Sequence, residues 1–275
     1  MDRFRHRGLT PPARHRWGLN TMNIDPRLQK QVDDHPYPLL FATISGAHLY
    51  GFPSDDSDWD LRGCHLLPAA EVLGLRAARE TIEVERKEPG FELDLVTHDA
   101  EKFFRMMLKK NGYVLEQLYS PLIVAGGELH EELKELGRGC ITRHHVHHYL
   151  GFARNQLELF GKDDPPRVKP LLYVFRVLLT GIHLMRTGVI EADLRRLDAE
   201  YAIPGLDELI QRKVSGAERE TLSTEGLATY HAQVEVLMAR LEREGEHSQL
   251  PEAPSAQDAL SDLLVRLRLG DGGKL

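Results

Sequence analysis

Ser45-Gly46-Ala47-His48-Leu49-Tyr50-Gly51, followed by Ser57-Asp58-Trp59-Asp60-Leu61-Arg62-Gly63, is the stretch from which the fold is read. Ahead of it, the apolar run Leu39-Leu40-Phe41-Ala42-Thr43-Ile44 predicts a buried strand that turns at Ser45-Gly46. Asp58-Trp59-Asp60-Leu61 alternates polar with apolar residues, the pattern of a half-buried strand. Side chains two apart on a strand share a face, so both carboxylates project together, with Cα atoms roughly 6.6 Å apart. Phe91-Glu92-Leu93-Asp94-Leu95 repeats the alternation and supplies a third acid at Asp94, with Glu92 on the same face as the fallback. Converging hard oxygens suit Mg²⁺, which takes the rest of its shell from water and substrate phosphates. Two such ions about 3.5–4 Å apart can clamp the attacking and leaving oxygens of a phosphoryl displacement. A glycine at 46 lets backbone N–H groups approach phosphate oxygens.

A lone D-x-D is common on solvated turns, so the order of elements carries more than the pair itself. A calcium-loop reading counted from Asp56 fails, because Leu61 replaces the turn glycine and Leu67 the final glutamate. A strand, a glycine turn, a spacer, D-hydrophobic-D and a later hydrophobic-D-hydrophobic together resemble the DNA polymerase β nucleotidyltransferase superfamily. S-G-x-H-x-Y-G with S-D-x-D-x-R-G, and Asn111-Gly112-Tyr113-Val114-Leu115-Glu116-Gln117-Leu118 after it, is similar to the RNA-repair-associated RlaP family. The likeness spans about residues 40–188.

That resemblance implies an α+β fold: a small mixed β-sheet nucleotidyltransferase core with helices, then a helical C-terminal half. It implies that Asp58 and Asp60 ligate both ions (Mg²⁺ or Mn²⁺), that Asp94 completes the catalytic metal site, and that Gly46 lies beside the triphosphate. Ser45 and Ala47 complete that turn; Ala47 departs from the superfamily's usual serine. Ser57 either caps the turn or faces nucleotide, and Arg62 either meets phosphate or pairs with a carboxylate. The substrate implied is an NTP, ATP foremost, with an RNA end among the acceptors. A catalytically eroded nucleotide- or partner-binding module and a metal-dependent phosphodiesterase are the competing readings.

Outward from the motif, residues 1–22 read as a disordered basic tail, or as sequence upstream of a start at Met22. The catalytic core is placed at 23–125 and a helical domain at 126–275. Helices are expected after Asp99, after Gly112, over 128–160 and 217–245, and over 255–268. A strongly apolar helix from Lys169 to Arg186 stops at Gly188. On it Lys169, Tyr173, Arg176, Thr180 and His183 form a polar stripe. Lys169, Tyr173 and Arg176 are the candidates to hold triphosphate and base; interhelical salt bridges or solvent exposure would explain the stripe equally. His144 and His148 lack a third ligand and read as helix surface. His48 and Tyr50 read as turn-stabilising.

With 41% hydrophobic and 28% charged residues, the composition is that of a globular protein. A net charge of −7 argues against bulk coating of nucleic acid. Cys64 and Cys140 are too few for a disulfide scaffold, and a reducing cytoplasmic setting without a membrane span is expected.

Overall fold

The computed structural model describes residues 24–162, 165–216 and 227–270. The basic tail and the first part of the helix expected over 217–245 lie outside the described residues. Five strands, β1 (Leu39–Ile44), β2 (Trp59–His65), β3 (Thr81–Glu88), β4 (Phe91–Asp99) and β5 (Ile123–Ala125), form one sheet in the order β3-β4-β2-β1-β5. Only β2 and β4 run parallel; the other neighbours are antiparallel. Twelve helices are described: α1 (Pro26–Asp33), α2 (Gly46–Leu49), α3 (Ala69–Val72), α4 (Ala100–Leu108), α5 (Gly112–Tyr119), α6 (Glu128–Arg138), α7 (His145–Phe160), α8 (Val168–Thr187), α9 (Leu194–Tyr201), α10 (Leu206–Ser215), α11 (Leu227–His247) and α12 (Gln257–Leu269). The fold is α+β, as expected.

Alternation divides the sheet's two faces. Leu61, Leu93 and Leu95 bury with Ala42, Ile44 and Phe91 against Leu28 of α1. The opposite face, which carries Cys64, joins the large apolar cluster built with α4–α8 and the C-terminal helices. The two halves therefore share one core. Local caps set the helix ends: Asp99 accepts from the Glu101 amide at the start of α4, and Asn111 accepts from the Tyr113 amide at the start of α5. Gly188 ends α8 in the left-handed conformation. That helix is long and apolar enough to span a membrane, yet 83% of its most apolar window is buried inside the protein. Arg268 near the end of α12 reaches back to the Asp99 carboxylate, an ion pair that ties the C-terminal helix to the end of β4.

Six elements were not expected: α1, α2, β3, β5, α9 and α10. The second acid motif also begins slightly later than its pattern suggests. β2 starts at Trp59, so Asp58 sits one residue ahead of the strand.

Candidate active site

Parallel pairing of β2 with β4 places Asp60 directly opposite Asp94. Their neighbours Leu61, Leu93 and Leu95 face α1, which turns both carboxylates toward the helical half. Arg62 is next on the same face of β2. Its Nη2 donates to Asp60 Oδ1 at 2.7 Å and to Asp94 Oδ2 at 2.6 Å. Nη1 donates to the Asp94 carbonyl at 2.5 Å and the Leu61 carbonyl at 3.1 Å, and Nε donates to the Tyr113 hydroxyl at 3.0 Å. Of the two readings left open for Arg62, the structure shows the carboxylate pairing.

The glycine turn closes against this pair. Gly46 has φ +60°, and a Cβ there would lie 1.7 Å from Asp60 Oδ2. Only glycine leaves the space that the Asp60 carboxylate fills. The Ser45 amide donates to the Asp60 carbonyl at 2.8 Å, locking turn to strand. Ser45 Oγ is buried there without a protein partner, whereas the Ala47 methyl packs into the main core. His48 stacks on Trp59 with ring centroids 3.9 Å apart. Burial pulls the His48 pKa down, opposed by the Asp58 charge.

Burial is also the largest influence on Asp60, whose pKa is pushed up to about 6. Arg62 opposes that rise; Asp58 and Asp94 add to it, and Lys169 opposes it. Asp58 and Lys169 therefore lie within electrostatic reach of Asp60.

Other sequence candidates are placed differently. Ser57 organises the turn before Asp58: its Oγ accepts from the Ser54 amide at 3.0 Å. Buried Lys213 of α10 donates to Ser54 Oγ at 2.5 Å and braces the same turn, a contact no local motif announces. Tyr173 packs edge-on to Tyr50 and Phe52. Arg176 is fully buried rather than turned to a ligand. Its Nη1 pairs with Glu116 Oε2 at 2.7 Å, each side chain 2% exposed, and its guanidinium lies 4.0 Å from the Tyr50 ring centroid. The stripe is thus one face of α8, but its third member serves an interhelical ion pair. Glu92 pairs with Lys87 of β3. Glu85 of β3, opposite Asp94, extends the row of acids and lay in a strand the sequence reading missed. His144 pairs with Glu252.

A cleft of about 640 Å³ is lined by His48, Ser57, Trp59, Phe91 and Glu92, and by none of Asp58, Asp60 and Asp94.

Residues 21–266 match the family described as "RNA repair pathway DNA polymerase beta family". The chain belongs to the RlaP family. Its relatives include the uncharacterized protein MJ0002 of Methanocaldococcus jannaschii, 33% identical over 156 residues, which are 56% of this chain and 63% of the archaeal one. A second is the uncharacterized protein YcgL of Bacillus subtilis, 26% identical over 200 residues, covering 70% of this chain and 75% of that protein. Among solved structures, a nucleotidyltransferase-like protein from Exiguobacterium sibiricum is similar at 13% identity and a TM-score of 0.30, over 81% of this chain and 73% of that one. Membership in the RlaP family supports a nucleotidyltransferase-like function.

Among the described residues of this RlaP-family chain, no three His, Cys, Asp or Glu side chains converge as a ready metal-ligating group. Asp60 and Asp94 converge instead on the Arg62 guanidinium, at hydrogen-bond lengths longer than the roughly 2.0–2.1 Å of a Mg²⁺–oxygen bond. The donor set still fits a hard divalent cation. Two carboxylates already meet at one positively charged group, the glycine cradle holds one of them, and Asp58 stands alongside.

Proposed function

We propose that this chain is a divalent-metal-dependent nucleotidyltransferase that moves a nucleoside monophosphate from an NTP, ATP foremost, to an acceptor hydroxyl and releases pyrophosphate. The observation that carries the reading is the Asp60–Asp94 pair held across parallel strands, with the Gly46 cradle closed on Asp60. Asp58, Asp60 and Asp94 would hold Mg²⁺ or Mn²⁺, which when bound supplies charge stabilisation to the phosphates and activates the attacking hydroxyl.

The chain's own groups do the positioning. The Ser45–Ala47 turn holds Asp60 in place, with the Ser45 amide on its carbonyl and Gly46 leaving room for its carboxylate. Lys169, whose charge reaches Asp60, would meet the triphosphate, with Tyr173 one turn further along α8. Ser57 and Lys213 keep the turn before Asp58 in place. His48 and Trp59 form a flat aromatic wall on the adjoining cleft. That cleft also carries Asp55, Asp56, Glu88 and Glu92, which repel a phosphate-rich chain. An RNA end, which the family description suggests, is the acceptor this reading favours.

A second reading, a nucleotide-binding module without turnover, draws on Ala47 and on the ion pairs that Arg62 makes with the acids. Incubating the protein with each labelled NTP, Mg²⁺ and either total RNA or total protein separates the two. Label moved to one fraction, and lost in Asp60→Asn, supports transfer; NTP bound without any label moved supports the module.

A further inference from the structure

Arg62 is tied at two levels. Nε and Nη1 are anchored by Tyr113 Oη and by two backbone carbonyls, partners that no cation at the carboxylates needs to disturb. Nη2 alone spans the carboxylates, taking one oxygen from Asp60 and one from Asp94. Those oxygens are also hard donors that the acid pair would offer to a metal ion. A carboxylate oxygen can accept a hydrogen bond and bind a cation at once, but a guanidinium charge within 2.7 Å of both oxygens opposes a divalent cation that approaches them. The Arg62 side chain is 9% exposed, Asp60 19% and Asp94 40%. The competition therefore takes place where water screens charge only in part.

We infer that Arg62 is an internal counter-ion of the acid pair: it competes with the divalent cation for Asp60 Oδ1 and Asp94 Oδ2, and so sets how tightly metal is held before nucleotide arrives. This rests on the metal-site reading above. In the metal-free protein it spares two facing carboxylates their mutual repulsion. When a cation takes the carboxylates, Nη2 is released while Nε and Nη1 stay anchored. The N–H groups of Nη2 then remain beside the site as charge-assisted donors to a phosphate oxygen. Metal arriving with a triphosphate satisfies both the carboxylates and the released Nη2, so the metal–nucleotide complex binds better than the metal alone.

The test is Mn²⁺ binding followed by electron paramagnetic resonance of the free ion, without turnover. Wild type, Arg62→Gln, Arg62→Lys and Asp60→Asn are compared, with folding checked by circular dichroism. Arg62→Gln, which removes the charge, should bind Mn²⁺ at least tenfold more tightly than wild type. Arg62→Lys, which keeps it, should lie nearer wild type. A purely structural Arg62 makes the opposite forecast: Arg62→Gln loses affinity because the carboxylates lose their alignment. Equal or weaker binding by Arg62→Gln, with binding still abolished in Asp60→Asn, overturns the counter-ion role and leaves the metal site standing. Binding that Asp60→Asn leaves intact, or that is absent from every form, overturns both.

Should Arg62→Gln fail to fold, side-chain nitrogen NMR of wild type decides. On saturation with Mg²⁺, the Arg62 Nη2 signals should lose their hindered rotation while the Nη1 and Nε–H signals persist. Unchanged Nη2 signals at saturation overturn the proposal.

Discussion

Gly46 and Asp60 are in such close contact that a Cβ on the glycine would lie 1.7 Å from the carboxylate oxygen Oδ2. The turn between β1 and α2 is thereby fitted to one side chain on the neighbouring strand. Gly46→Ala faces two penalties: the left-handed φ of +60°, worth about 1–2 kcal/mol for an L-residue, and an overlap that only displacement of Asp60 relieves. The variant should be less stable by at least that amount in urea denaturation. It should also lose more than a hundredfold in nucleotidyl transfer. An active, fully stable Gly46→Ala protein contradicts this geometry.

Asp60 gives the metal-free protein a pH signature. Its folded pKa of about 6 lies above the ordinary 3.8, so the folded state holds the proton more tightly than the unfolded chain. This group's contribution to stability is greatest below pH 4 and falls as pH rises through 6. Denaturation midpoints between pH 4 and 7 should show a decline that Asp60→Asn flattens. Divalent affinity runs the other way, because a cation binds the ionised carboxylate and so gains as pH rises through 6. Metal binding that is level over this range would speak against Asp60 as a ligand.

Arg176 and Glu116 test the core between α5 and α8. Each is buried and each is the other's ion-pair partner, so removing one strands a charge. Arg176→Met or Glu116→Leu alone should cost about 3–5 kcal/mol. The double variant should recover much of that, since a desolvated pair traded for apolar side chains is often neutral. A double-mutant cycle in guanidinium gives the coupling; additive losses would show that the two do not act as a pair.

Why the acids could be read from the sequence and Arg176's partner could not is a matter of distance along the chain. Strand alternation puts Asp60 and Arg62 on one face, and the flanking leucines do the same for Asp94, so period alone assembles the acid pair and its guanidinium, while Asp58 lies just ahead of β2. Lys169, Tyr173 and Arg176 do share a helix face. What that face meets is decided by packing against α5, and Glu116 lies 60 residues away. β3 escaped because only Ile82 and Val84 interrupt its polar and charged residues; as the outermost strand it needs no apolar outer face, and charge protects its free edge. β5 is three residues long, too short to show a period. Lys213 reaches the Ser54 turn from α10, again with no local signal.

Lys169 links the helical half to the acid pair. Its positive charge lowers the Asp60 pKa, so Lys169→Met should raise the pH midpoint of metal binding. The same change should weaken NTP affinity about tenfold while leaving the fold intact, read by titration calorimetry with a non-hydrolysable NTP. Unaltered affinity would remove Lys169 from the nucleotide site.

The most direct measurement counts pyrophosphate released per labelled nucleotide transferred, for wild type and for Asp60→Asn, at saturating Mg²⁺. Nucleotidyl transfer at the Asp60–Asp94 pair requires one pyrophosphate per nucleotide in wild type and a loss of at least a thousandfold in the variant. Release of free nucleoside monophosphate in place of transfer, or an Asp60→Asn protein that works as well as wild type, would contradict it.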